Sequence, residues 1–75
     1  MDVKIGVLHS PRELTVDTDE SQDAVREQVT KVLGDDEQVL ELTDRRGRRV
    51  IVPVKRIAYV EIGEADGRRV GFMTS

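Results

Sequence analysis

Four arginines crowd one short stretch of this chain, Arg45, Arg46, Arg48 and Arg49 around Gly47, and two more, Arg68 and Arg69, return near the C-terminus. Guanidinium groups at that density, joined by Lys55 and Arg56, could form a basic edge that grips phosphates through charge-assisted hydrogen bonds. The same residues around a glycine also suit a hairpin turn, where arginines solubilise the loop and guard strand edges. Tyr59 and Phe72 are the only Phe, Tyr or Trp residues in the sequence, too few to interleave with the arginines as a base-stacking platform.

Other constellations carry less chemistry. Asp17, Asp19, Ser21 and Asp23 alternate like the opening of a calcium loop, but the sixth and twelfth positions hold Gln22 and Gln28 where a Gly and a bidentate Glu are required. Helix capping accounts for these acids more simply. His9, the one histidine, stands beside Ser10, yet neighbours in sequence do not make a catalytic pair without an orienting partner. One histidine and no cysteine disfavour zinc or iron sites. Gly63, Gly67 and Gly71 fall four apart and lack the strand-to-helix setting of a phosphate-cradling loop. No catalytic, cofactor-binding or metal-binding residues are expected, and the chain reads as a non-enzyme.

Val70, Phe72 and Met73 form the last apolar group. They either plug the end of a small core or lie on an edge strand that pairs with another chain, a second copy included. The expected partner-binding residues are therefore Arg45, Arg46, Arg48, Arg49, Arg68, Arg69, Phe72 and Met73.

The elements that must position these residues follow from periodicity. Val3, Ile5 and Val7 alternate with Asp2, Lys4 and Gly6, and Leu14 and Val16 with Thr15 and Asp17, giving two strands around a turn at His9 to Arg12. Val25, Val29, Val32 and Leu33 mark one stripe of a helix of about three turns, entered through the acids and Ser21 and stopped at Gly34. Leu40 and Leu42 predict a third strand, and Asp44 to Gly47 a turn whose glycine can take positive φ. Val50, Ile51 and Val52 are apolar on both faces, as in a central strand, until Pro53 interrupts the ladder. Ile57 to Ile62 is a further strand, and Arg69 to Met73 would add a short edge strand.

The order ββαβββ(β) predicts an α+β fold of two layers, one helix on a mostly antiparallel or mixed sheet, and it is also the order of a ubiquitin-like β-grasp. Residues 1–75 make a single small domain, near the lower size for a chain without disulfides or metal. Charged residues reach 36% while the net charge is only −3, a mixed and well-solvated surface rather than a nucleic-acid-binding tail. No secretory signal or membrane span is evident, so a cytoplasmic protein is expected.

Several runs together carry a resemblance: Met1-Asp2-Val3-Lys4-Ile5-Gly6-Val7, Ser10-Pro11-Arg12-Glu13-Leu14, Leu42-Thr43-Asp44, Gly47-Arg48-Arg49, Ile57-Ala58-Tyr59-Val60-Glu61-Ile62-Gly63 and Arg68-Arg69-Val70-Gly71-Phe72. Across essentially the whole chain the sequence resembles a family of small uncharacterised actinobacterial proteins, with Ile57 to Gly63 the most specific part. The resemblance implies a cytosolic protein without assigned function. Members include a small mycobacterial antigen, and some bear an ATP-binding label, for which this sequence offers no nucleotide motif.

Three functions follow in order. The first is a binding or regulatory module that meets a protein partner through a sheet edge and the arginine-bearing turn. The second is nucleic-acid binding through the same arginines. The third is a nucleotide (ATP)-binding protein.

Overall fold

The computed structural model describes residues 1–64. Within them the elements run β1 (Asp2–Val7), β2 (Glu13–Asp17), α1 (Gln22–Leu33), β3 (Val39–Thr43), β4 (Arg49–Pro53), a short 3-10 turn (Val54–Arg56) and β5 (Ile57–Ile62). The expected order ββαβββ holds. The strands do not join into one sheet, however. They divide into a three-stranded sheet, β2-β1-β5, and a two-stranded hairpin, β3-β4, antiparallel throughout. A ubiquitin-like β-grasp therefore shares the order of elements with this chain, and the ladders go no further toward it. The strand expected over Arg69 to Met73 lies outside the described residues.

Alternation decides which side chains go inward. Val3 and Ile5 of β1, Val16 of β2, Leu40 and Leu42 of β3 and Val52 of β4 are all buried, and Met1, Val25 and Val29 complete the cluster. The inward faces of both sheets and one stripe of the helix thus share a single core, which is how a 75-residue chain buries enough apolar area without staples. Val32 joins this core partly, while Leu33, expected in the same stripe, is exposed.

Helix α1 starts where sequence chemistry places it. Ser21 caps it, its hydroxyl accepting the N–H of Ala24 at 3.1 Å, and Asp23 and Lys31 sit at the ends the helix dipole favours. Between β1 and β2 the N–H of Ser10 donates to the carbonyl of Val7, closing a turn in which His9 adopts φ 62°. Between β3 and β4, Gly47 takes φ 86°, the left-handed conformation a glycine reaches without strain.

Strand β4 departs from expectation. Its apolar triplet suggests a central strand, yet among the described residues β4 pairs only with β3, and Ile51 is left 57% exposed while Val52 beside it is 6% exposed.

Candidate functional site

Asp44 organises the arginine-bearing turn. Its carboxylate accepts the N–H of Arg46 at 2.9 Å and the N–H of Arg48 at 2.8 Å on Oδ1, and the Nε of Arg48 at 2.7 Å on Oδ2. These bonds hold the Asp44 carboxyl below the usual aspartate range, the Arg48 guanidinium first among them. The Asp44 N–H in turn donates to the Arg48 carbonyl. The loop is a folded object rather than a mobile display of charge.

Arg45 points the other way, toward the three-stranded sheet. Its Nε lies 2.8 Å from Asp17 Oδ2, a terminal guanidinium nitrogen lies 2.6 Å from Asp19 Oδ1, and its N–H donates to the Asp17 carbonyl at 2.8 Å. Asp17 also accepts from the amino group of Met1 at 3.4 Å. The strong hydrogen bond from Arg45 lowers the Asp17 carboxyl from its ordinary value. Sequence reading assigned Asp17 and Asp19 to helix capping; their position at and just past the end of β2 makes them the anchor of the opposite hairpin instead. No signal in the sequence joins residues 17 and 45, because only the tertiary packing brings them together.

Arg49 lies on the outer face of β4, 3.7 Å from Glu41 of β3. Three of the four arginines of the turn thus face carboxylates of the same chain. For Arg46 alone among the four, no carboxylate partner stands among the described residues. Arg68, Arg69, Phe72 and Met73, the other expected partner-binding residues, lie outside the described residues.

The outer face of the hairpin is where apolar side chains meet solvent. In the β3-β4 register Val39 stands opposite Pro53, Glu41 opposite Ile51 and Thr43 opposite Arg49. Val39 is 45% exposed and neighbours Ile51 diagonally, so Val39, Ile51 and Pro53 form one apolar patch with Glu41 and Arg49 at its side. The solvent face of the three-stranded sheet differs. There Tyr59 lies across Gly6, between the two strands that flank β1, and its hydroxyl donates to the Glu13 carboxylate. A side chain at position 6 would collide with that ring.

Among the described residues no three His, Cys, Asp or Glu side chains converge where they could hold a metal ion. Nor does any described helix have the length and apolarity to cross a membrane. The segment that leads into α1, Thr18 to Ser21, contains no glycine to cradle a phosphate.

The model of a protein family of unknown function, DUF3107, matches residues 1–73. The chain belongs to the DUF3107 family. A search of curated proteins finds no match. For this DUF3107 member, then, function has to be sought in the surface itself.

Proposed function

We propose that this DUF3107 protein is a non-enzymatic interaction module that engages a protein partner through the outer face of its β3-β4 hairpin. The observation that carries the reading is the apolar patch of Val39, Ile51 and Pro53, with an acid and a base beside it. Exposed single hydrophobes are ordinary, but adjacent ones on a rigid strand pair offer a partner a desolvated anchor with charges to fix its orientation. The arginine-bearing turn supports the hairpin rather than acting as its binding tip, since Arg45 and Arg48 are committed to carboxylates of their own chain. The same commitment weighs against gripping phosphates through these arginines.

The test uses the full-length protein with a photo-crosslinking residue at Val39 or, as a control, at Arg46, exposed to nuclease-treated extract of its source cells. Protein adducts specific to the Val39 probe, and outcompeted by unlabelled protein but not by a Val39→Asp variant, are expected. Adducts that form only when nuclease is omitted, or equally from both positions, would overturn the reading.

A further inference from the structure

The solvent face of the three-stranded sheet carries an aromatic ring that is already held in place. In the register Gly6 of β1 stands between Glu13 of β2 and Tyr59 of β5. A Cβ at position 6 would meet Cδ2, Cε2 and Cζ of Tyr59 together, so one side of the ring rests on the β1 backbone. The hydroxyl is fixed at the far end, where it donates to the Glu13 carboxylate. The other side of the ring faces water, and Tyr59 is 47% exposed. A ring pinned at both ends loses little further freedom when something settles on it.

The charges around the ring decide what would settle there. Alternation places Lys4, Glu13, Thr15 and Glu61 on the same face. Glu61 lies two residues along β5 from Tyr59 and has no cation partner among the described residues; Lys4 stands opposite it in the register without forming an ion pair. The hydrogen bond to Glu13, then burial and the charges of Glu13 and Glu61, raise the ionisation of the phenol, so both carboxylates make the potential at the ring negative. A phenol that donates to a carboxylate also pushes electron density into its ring, which makes the open π face a better seat for a cation.

We infer that the open face of Tyr59 receives an arginine side chain of a protein partner, stacked on the ring and hydrogen-bonded to Glu61. Charge complementarity calls for a cation, and the flat ring with a carboxylate beside it calls for a planar one. A guanidinium is weakly hydrated, lies parallel to an aromatic face and still points N–H donors outward from its edge, whereas an ammonium is compact and strongly hydrated. This contact lies on a different sheet from the hairpin patch. It goes beyond the partner binding proposed there and does not depend on it.

A nuclear magnetic resonance titration of the full-length protein with the blocked peptide acetyl-Gly-Arg-Gly-amide tests the contact. The Tyr59 ring signals and the Glu61 amide should shift saturably, with a Kd of about a millimolar, as suits a single side chain. The peptide with lysine in place of arginine should bind about threefold or more weakly, and the one with uncharged citrulline should leave both signals where they are. Glu61→Gln is an exposed change that should leave the circular dichroism spectrum intact and weaken the arginine peptide by about fivefold or more. Tyr59→Leu should abolish the shift at the Glu61 amide. Tyr59 signals that do not move with the arginine peptide overturn the inference. So does a lysine peptide that binds equally well, since charge alone would then account for the attraction. Binding that Glu61→Gln leaves at full strength, or a citrulline peptide that binds like arginine, is equally fatal.

Discussion

Arg45 grips Asp17 twice, by its side chain at 2.8 Å from Oδ2 and by its N–H, which donates to the Asp17 carbonyl at 2.8 Å. Asp17 ends β2 and Arg45 lies in the turn after β3, so this pair ties together two sheets that share no ladder. Apolar packing holds the sheets face to face without fixing the angle between them, whereas a main-chain bond with a charged bond beside it does fix it.

The first consequence is a difference between neighbours. Arg45→Ala should lower the melting temperature, and Arg46→Ala, at a side chain that reaches no carboxylate among the described residues, should leave it within error. Thermal unfolding followed by circular dichroism reads both. Equal losses at the two positions would mean that Arg45 contributes only the general charge of the turn.

The second consequence concerns acid. The bond from Arg45 depresses the Asp17 carboxyl in the folded state. A carboxyl lowered on folding stabilises the fold fully above its unfolded value, about 3.9, and that contribution is lost as pH falls through the lower folded value. Wild type and Asp17→Asn should therefore differ in melting temperature at pH 7, begin to converge below about pH 4, and meet only once pH has fallen below the depressed folded value, where wild type is neutral at this site. A gap that persists unchanged at acid pH would show that the carboxylate charge is not what holds Arg45.

Local rules made the elements legible in the sequence, and non-local ones did not. Alternation at Val3 and Ile5 or at Leu40 and Leu42 is a property of the strand itself, and Ser21 caps a helix through residues three positions away, so these features read directly. How strands group depends on contacts between distant segments. The pattern of Val50 to Val52 reports an apolar strand but does not say which of its faces the core covers: Val52 is buried and Ile51 is exposed. The arginine cluster was visible as charge, and its neutralisation by Asp17, Asp19, Asp44 and Glu41 was not, because three of those four acids come from residues before or across the turn.

Adjacent residues of β4 should respond unequally to truncation. Val52 is buried among the core side chains and Ile51 faces out. Val52→Ala should cost about 2 kcal/mol, the lost transfer energy plus a small cavity. Ile51→Thr should stay within about 0.5 kcal/mol. Urea denaturation separates them, and a large loss at Ile51 would contradict the β3-β4 register.

Among the described residues two hold left-handed backbone, and only one is a glycine. His9 has φ 62° and Gly47 has φ 86°. A side chain in that region costs about 1–2 kcal/mol, and a glycine gives back part of this through its larger unfolded-state entropy. His9→Gly should therefore stabilise by about 0.5–1 kcal/mol and Gly47→Ala destabilise by about 1 kcal/mol. No neighbour lies within reach of a Cβ at Gly47, so its cost would come from the backbone alone. Chemical denaturation gives both signs, and a destabilised His9→Gly would mean that the histidine makes a contact worth more than its strain.

Tyr59 provides a signal free of background, since the chain has one tyrosine and no tryptophan. Its phenol donates to the Glu13 carboxylate across Gly6, and this bond, with help from desolvation and from the charges of Glu13 and Glu61, raises its ionisation above the ordinary value of 10.0. An ultraviolet titration should find the folded phenol ionising above that value, and Glu13→Gln should bring it down. Because the folded value exceeds the unfolded one, the stability this bond contributes is complete below about pH 10 and is lost as pH rises through the folded value. Gly6→Ala should have the same spectroscopic effect as Glu13→Gln, by pushing the ring off the strand rather than by removing the acceptor. If Gly6→Ala left the titration where it was, the ring would not lie across position 6 in solution.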